Sequence, residues 1–171
     1  MDSLDYYNAI AGSYEALYLN EQKEKIEKLI DTVKPKPSDM ILDIGAGSGL
    51  LEEALKGFHI TAVEPSDLAD RIMEKHLENV VVEKKRFADF NTARRFDIVF
   101  SITVLQDMPG EERSAAIDKM LELCRSGGKL AISVLKKSGL DYSSLNPSVK
   151  GEAGNDIFFV FIKQDQKKAL N

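Results

Sequence analysis

The sequence predicts an α/β fold with a doubly wound, mostly parallel sheet that carries helices on both faces. Short apolar runs alternate with segments of helical periodicity, and the connections between them are short. This alternation favours right-handed crossovers between parallel strands. At about 100–200 residues per domain, we assign residues 1–171 to a single domain. Its parts are an N-terminal helical segment (1–36), a core (37–135) and C-terminal edge strands (136–171).

The N-terminal segment carries a helical pattern. Charged residues separate apolar side chains that recur at helical spacing, at Ile26, Leu29, Ile30 and Val33. Pro35 and Pro37 follow, and neither residue can continue a helix. The sequence therefore predicts N-terminal helices that end before residue 35.

The central part of the chain alternates between strand and helix patterns. Apolar runs predict five strands, at residues 40–44, 59–63, 80–83, 96–101 and 129–135. Helical periodicity predicts three helices, at residues 50–56, 67–76 and 111–124. Gly57 ends the first of these helices, and Gly127 with Gly128 ends the third. The order of elements is that of repeated strand–helix–strand units.

The C-terminal part departs from this alternation. Residues 138–155 are too few for a full crossover helix followed by a strand. We expect a reduced helix there, then a short strand at Val149–Ala153. That strand would form a hairpin with the apolar run at residues 156–163, which makes this edge of the sheet antiparallel.

Composition disfavours several classes of function. The 28 acidic and 23 basic residues give a net charge of −5, so the chain lacks the overall positive field that binds nucleic-acid phosphates. No apolar run approaches the length of about 20 residues that spans a membrane. The opening MDSLDYYNAIAG lacks the basic and apolar regions of a signal peptide. We therefore expect a cytoplasmic protein with no membrane contact and no strong intrinsic nucleic-acid binding.

Cysteine and histidine are scarce. The one cysteine, Cys124, excludes an internal disulfide, and the two histidines, His59 and His76, are not close together in the sequence. Metal clusters in proteins are built mainly from these residue types at close spacing. We predict no metal site.

A glycine-rich loop follows the first predicted strand, in the sequence ILDIGAGSG at residues 41–49. Glycine allows positive φ and lets a ligand approach the backbone, and ligands of open α/β sheets bind at the carboxyl ends of strands. The dinucleotide fingerprint GxGxxG/A requires a small residue at position 50, where this chain has Leu50. That mismatch disfavours a nicotinamide-dependent oxidoreductase. A tight turn that binds nothing is the simplest alternative.

Acidic residues follow the second and third predicted strands. Glu64 comes directly after the second strand, where an acid accepts hydrogen bonds from ribose hydroxyls. Asp89 lies in the segment RFADF, where a carboxylate can accept the adenine amino proton. Each has an ordinary alternative: Glu64 as an exposed carboxylate at a strand end, and Asp89 as a turn residue. With the glycine loop, these two acids make three features at one edge of the sheet, and together they favour an adenosine-binding site.

The order of motifs resembles the class I S-adenosylmethionine-dependent methyltransferases, which have a Rossmann-like fold. The motifs are ILDIGAGSG, AVEPSD, FADF, FDIVFSITVLQDMP and GGKLAISV, within residues 40–135. The opening YNAIAGSYE at residues 7–15 is similar to the helical lid of small-molecule-type members. The resemblance implies methyl transfer from S-adenosylmethionine, with residues 1–36 as lid and residues 37–135 as cofactor-binding core.

The resemblance also implies roles for individual residues. Those near the methionine part are Asp43, which orients the loop, Gly45, Ala46, Gly47 and Gly49, which line it, and Ser101, which offers its backbone carbonyl. Those near the adenosine part are Glu64 at the ribose, Pro65 and Phe90 beside the adenine, and Asp89 at its amino group. Tyr14 would close over the cofactor from the lid, although helix packing is an equally good explanation for this residue.

The methyl acceptor is much less determined. Because the cofactor carries the activated methyl group, the protein needs to supply alignment and water exclusion rather than a catalytic residue. Gln106 and Asp107, after the fourth strand, are the acceptor-side candidates, and capping of the next helix explains them equally well. With no large insertion in the chain, we expect a small-molecule acceptor, or a macromolecular acceptor presented by a helper protein. The alternative function is a non-catalytic or activator-dependent subunit that binds the cofactor and a protein partner; oligomeric state is not predicted.

Overall fold

The computed structural model describes residues 3–10 and 14–164. The helices are α1 Ser3–Ile10, α2 Tyr14–Val33, α3 Leu50–Ala54, α4 Leu68–Glu74 and α5 Gly110–Leu123. The strands are β1 Met40–Ile44, β2 His59–Val63, β3 Val80–Glu83, β4 Phe96–Ile102, β5 Cys124–Leu135, β6 Val149–Ala153 and β7 Asp156–Ile162. No helix in these ranges has the length and apolar character needed to cross a bilayer.

The seven strands form one sheet in the order β3-β2-β1-β4-β5-β7-β6. Strands β1 to β5 pair in parallel, and β7 is antiparallel to both of its neighbours. The chain runs from β1 outward to β3 and then returns to β4 on the other side of β1. The strand order therefore reverses between β1 and β4, and ligands of such sheets bind at the carboxyl ends beside this point.

The predicted fold class is confirmed, including the antiparallel C-terminal edge. The predicted bounds of β1, β2, β3 and β6 coincide with the observed ones. These strands were predictable because each is a short apolar or alternating run between strong turn residues.

Two of the later elements differ from the prediction. The reduced helix expected in residues 138–155 is a single 3-10 turn, at Ser143–Leu145, and another 3-10 turn precedes it at Lys136–Ser138. Helix α5 stops at Leu123, and Cys124 already belongs to β5, which therefore starts earlier than predicted. Gly127 and Gly128 lie inside that strand because the Gly127 N–H donates to Lys163 O and Gly128 O accepts from Lys163 N, both at 2.9 Å.

Each face of the sheet buries its own apolar core. One core packs α5 against β1, β4, β5 and β7, and the other packs α2 and α3 against the opposite face. Successive residues of β7 alternate between them: Phe158 and Val160 enter the core under α2, whereas Phe159 and Phe161 enter the core under α5. This period of two follows from the pleat of a strand that is covered on both sides.

Candidate functional site

A cavity of about 510 Å³ opens at the carboxyl ends of β1, β2 and β4. Its volume lies in the range of about 300–1,000 Å³ that is typical of cofactor and small-molecule sites. The glycine loop and Glu64 form one wall, residues 86–88 a second, and residues 102–104 and 107–109 a third, while Leu4 and Tyr7 of α1 contribute from above. The cavity therefore occupies the reversal point of the sheet.

The glycine loop forms a tight floor for this cavity. Gly45, Gly47 and Gly49 all have positive φ, at 74°, 57° and 88°. A Cβ atom on Gly45 would overlap the side chain of Val104, and one on Gly49 would lie 3.0 Å from Ile72 Cγ1. At Gly45 and Gly49, glycine is thus required by the backbone conformation and also by close packing.

Glu64 links the end of β2 to the glycine loop. Its Oε2 atom accepts a hydrogen bond from the Gly47 N–H at 2.9 Å. Its Oε1 atom accepts from the Ser66 N–H at 2.9 Å and from the Ser66 hydroxyl at 2.6 Å. The side chain is only 6% exposed, yet the residue lines the cavity. Glu64 is therefore a buried hydrogen-bond acceptor that fixes the loop and faces the ligand space.

The turn after β3 closes the far end of the cavity. Arg86, Phe87 and Ala88 line it. The Lys119 ammonium on α5 donates to the Phe87 and Ala88 carbonyls at 2.8 and 2.9 Å and lies 4.9 Å from the centre of the Phe87 ring. Burial lowers the pKa of Lys119. This lysine ties the turn to α5, so the turn has a defined position beside the cavity.

The predicted cofactor residues divide into two groups and one outlier. Those that line the cavity are Gly45, Gly47, Glu64 and Pro65. Those that lie behind or beside its walls are Asp43, Ala46, Gly49, Asp89, Phe90 and Ser101. Tyr14 starts α2, and its side chain lies outside the described residues.

The roles predicted for the second group stay predictions, and these residues have other surroundings than the residues that line the cavity. Phe90 is 4% exposed and belongs to the core under α5, with its ring stacked on Phe87 at 6.4 Å between centroids. Asp89 is exposed and is not among the residues that line the cavity. Ser101 is fully buried in β4, between β1 and β5. Phe87 and Ala88 line the cavity instead, which a motif centred on residues 89 and 90 did not indicate.

Helix α1 reaches the acceptor-side candidate Asp107. The Tyr7 hydroxyl donates to Asp107 Oδ2 at 3.0 Å, and Asn8 Oδ1 accepts from the Asp67 N–H at 2.8 Å. Partial desolvation by the surrounding walls raises the pKa of Asp107, and the Tyr7 hydrogen bond opposes that rise. Sequence reasoning did not single out Tyr7, although it opens the segment at residues 7–15 that resembled a lid.

A second cavity of about 530 Å³ adjoins the first. The two share four residues, which are Tyr7, Gln22, Thr103 and Asp107. Gln106 lines only the second cavity, with Tyr6, Lys136 and Lys137 on its other walls. Within residues 3–10 and 14–164, no cluster of three or more His, Cys, Asp or Glu side chains could hold a metal ion. Of the two acceptor-side candidates, Asp107 therefore lies at the junction of the two cavities, and Gln106 lies on the second cavity alone.

Asp43 and Glu52 form a buried carboxyl pair beneath the glycine loop. Their exposed fractions are 3% and 0%. Burial, followed by the charge of Glu52, raises the pKa of Asp43 well above its ordinary value. Burial also raises the pKa of Glu52, to about 7. Because burial disfavours the charged form of both carboxyl groups, the pair favours a state that holds a proton.

We expect this pair to make the folded protein less stable as pH rises. The pKa of Glu52 is about 7 in the native state against 4.5 when exposed, so the native state binds more protons in that interval and stability falls from pH 4.5 to pH 7. Glu52→Gln removes one of the two buried carboxyl groups and should stabilise the protein at pH 8, by on the order of 2–3 kcal/mol. Urea unfolding at pH 5 and pH 8 measures the difference.

The neighbouring exchange Glu53→Gln is the matched control. Glu53 is exposed and pairs with Lys75 at 2.9 Å on the surface, so it should change stability by less than about 0.5 kcal/mol at either pH. An unchanged pH dependence in Glu52→Gln would show that the buried carboxyl is not the group that titrates.

Comparisons with known proteins identify the family of the chain. A family model described as a methyltransferase domain matches residues 18–167. The ubiquinone biosynthesis O-methyltransferase of Coxiella burnetii (strain Dugway 5J108-111) is 30% identical over 142 residues, which cover 78% of this chain and 58% of that protein. An uncharacterized methyltransferase of Anoxybacillus flavithermus (strain DSM 21510 / WK1) is 27% identical over 139 residues, which cover 76% of this chain and 66% of that protein. The chain therefore spans 58–66% of the length of these two curated relatives.

A solved structure shows the same architecture over nearly the whole chain. The crystal structure of magnesium protoporphyrin IX methyltransferase (ChlM) from Synechocystis PCC 6803 with bound SAM superposes with a TM-score of 0.81 at 15% identity and covers 94% of this chain and 95% of that one. At 15% identity this likeness shows the fold alone. The family is shown by the family model, which covers most of the sequence. The chain belongs to the methyltransferase-domain family and has the Rossmann-like fold of class I S-adenosylmethionine-dependent methyltransferases.

Proposed function

We propose that the protein transfers a methyl group from S-adenosylmethionine to a small-molecule acceptor. The observation that carries the proposal is the cavity at the reversal point of the sheet, where buried Glu64 bonds the glycine loop at Gly47. Family membership supports the reaction class. The relatives named above for ubiquinone biosynthesis and magnesium protoporphyrin IX support a small-molecule acceptor rather than a macromolecule.

The residues of the first cavity fit this cofactor. The close approach at Gly45 suits an extended amino-acid tail, and the Glu64 carboxylate suits paired ribose hydroxyls. The Phe87 ring and Pro65 offer flat apolar surfaces to a base. When bound, S-adenosylmethionine supplies a methyl group on a sulfonium, which is already activated for displacement.

The second cavity is the proposed acceptor site. An acceptor oxygen or nitrogen placed at the shared residues forms a bond to the methyl carbon, while the carbon–sulfur bond breaks and its electron pair goes to sulfur. The proton of the acceptor passes to Asp107, whose raised pKa makes it a better base than an exposed aspartate. Tyr7 orients that carboxylate by its hydrogen bond to Oδ2.

The proposal is tested first by calorimetry with S-adenosylmethionine and S-adenosylhomocysteine. Methyl-labelled S-adenosylmethionine is then incubated with the protein and with size-fractionated cell extract. We expect binding of both compounds and label in the small-molecule fraction. Absence of binding would reject the function, and label confined to protein or RNA would reject the small-molecule acceptor.

Asp107→Asn should separate transfer from cofactor binding. The amide keeps the shape of the side chain but cannot take a proton, so we expect the transfer rate to fall about 100-fold at an unchanged affinity for S-adenosylhomocysteine. Asp118→Asn on the exposed side of α5 lies on neither cavity and should leave both quantities unchanged. An equal loss of rate and affinity in Asp107→Asn would show that Asp107 acts in cofactor binding rather than on the acceptor.

A further inference from the structure

Thr103 holds an unusual backbone conformation at the boundary between the two cavities. It follows β4 directly and has a φ of 59°. For a β-branched residue this left-handed region is a true outlier that costs about 1–3 kcal/mol, and such residues cluster at functional sites. Thr103 lines both cavities. Surrounding groups must therefore hold it in place.

Hydrogen bonds from two neighbouring strands hold Thr103. Its N–H donates to the Ser133 carbonyl at 3.0 Å and to the Ser133 hydroxyl at 3.1 Å. Its own hydroxyl donates to Asp156 Oδ2 at 2.7 Å, and the Ser133 hydroxyl donates to the same oxygen at 2.8 Å. Asp156 begins β7 and is fully buried. One buried carboxylate thus accepts from both side chains.

Lys25 of α2 completes this cluster. Its ammonium lies 2.9 Å from Asp156 Oδ1 and 2.8 Å from Glu21 Oε1, and it donates to the Thr103 hydroxyl oxygen at 3.3 Å. Lys25 is 1% exposed. Removing two charges from water costs several kcal/mol per ion, so a buried ion pair is weak evidence for a gain in stability. A role in positioning neighbouring residues is then the better explanation for the pair. The pair joins α2 to β7 beside Thr103.

The conformation of Thr103 places the residues that follow. Val104 packs against the backbone of Gly45 on the cofactor side. The Val104 carbonyl accepts from the Asp107 N–H at 3.0 Å and so starts the turn that carries Asp107 to the junction. Gln106 Nε2 donates to the Thr103 carbonyl. The strained residue Thr103 therefore positions Val104 in the first cavity and Asp107 between the first and second cavities.

We propose that the buried Lys25–Asp156 pair is a positioning device that acts through the Thr103 hydroxyl. The pair fixes the segment at residues 103–107, which forms the partition between the cofactor cavity and the acceptor cavity. It thereby aligns the acceptor with the methyl group. Lys25, Asp156 and Thr103 are positioning residues, because they act through the backbone of the segment at residues 103–107. This inference rests on the proposed methyl transfer.

Thr103→Gly is the decisive variant. Glycine adopts the left-handed conformation of this position without strain, so the variant should fold, but it loses the hydroxyl that Asp156 and Lys25 hold. Misplacement of reacting groups by about 1 Å costs up to about 100-fold in rate. We expect label transfer to the small-molecule fraction to fall at least about 10-fold, while the affinity for S-adenosylhomocysteine changes less than about 3-fold. Thr103→Ser keeps the hydroxyl and should restore most of the rate.

Asn146→Gly is the matched control for the backbone. Asn146 has a φ of 54°, is exposed and lies on neither cavity, so its replacement should leave transfer unchanged. If wild-type protein transfers no label, the proposed function and this inference both fall. If wild-type protein transfers label and Thr103→Gly matches it, or Thr103→Ser loses as much as Thr103→Gly, only the inference is overturned.

Discussion

Replacing Gly45 by alanine is expected to raise the dissociation constant for S-adenosylhomocysteine at least about 30-fold, equivalent to about 2 kcal/mol. A left-handed conformation costs about 1–2 kcal/mol for a residue with a side chain, and the new methyl group would overlap Val104. Relief of that overlap moves either the glycine loop or the segment after β4, and both line the cofactor cavity. Calorimetry with S-adenosylhomocysteine measures the loss.

Gly57→Ala is the control that separates the effect of backbone strain from the effect of the overlap with Val104. Gly57 has a φ of 91°, and no atom lies within 4 Å of the position its Cβ would take. The control should lower the melting temperature by a few degrees, as a loss of about 1 kcal/mol does, and leave ligand affinity unchanged. Wild-type affinity in Gly45→Ala would show that the glycine loop does not contact the ligand.

Replacing Glu64 by alanine is expected to weaken cofactor binding about 10- to 150-fold. Hydrogen bonds to a charged group contribute about 1.5–3 kcal/mol each, and this carboxylate accepts three within the protein. A ribose diol that binds here shares or displaces the bond from Gly47, so the affinity reports both the ribose contact and the order of the loop.

Two ligands distinguish these contributions. Methylthioadenosine has the adenine and ribose of the cofactor but lacks the amino-acid tail. If Glu64 binds the ribose, Glu64→Ala lowers the affinity for methylthioadenosine and the affinity for S-adenosylhomocysteine by similar factors. A loss confined to S-adenosylhomocysteine would limit Glu64 to ordering the loop under the tail. Glu83→Gln, an exchange at the end of the neighbouring strand whose carboxylate pairs with Lys85 at the surface, should change neither affinity.

Local sequence was sufficient to predict the first strands of the sheet. The run MILDI and the run HITAV each fill a buried strand between turn residues, and their observed bounds are the predicted ones. The same logic failed at Cys124–Leu135, where a glycine pair is typical of a turn. Pairing of Gly127 and Gly128 with Lys163 of the last segment extends the strand there, and a contact between residues so distant along the chain has no local signal.

The candidate site was predictable only in part, for a similar reason. Glycine and acid positions at strand ends follow from topology, so Gly45, Gly47 and Glu64 could be placed from spacing alone. Which side of a turn faces the cavity depends on packing against another element. Phe87 lines the cavity rather than Phe90 because Lys119 holds the carbonyls of residues 87 and 88 against α5.

The order of elements, the edge of the sheet that holds the site and the chemistry of its glycine loop were determined by the sequence itself, since each depends on residues that are close along the chain. Only the tertiary structure decided how the site is divided. The partition at Thr103 needs Lys25 from the second helix, Ser133 from the fifth strand and Asp156 from the last strand. No pattern in a linear sequence indicates that these four side chains meet, because their contact arises from the packing of the folded chain.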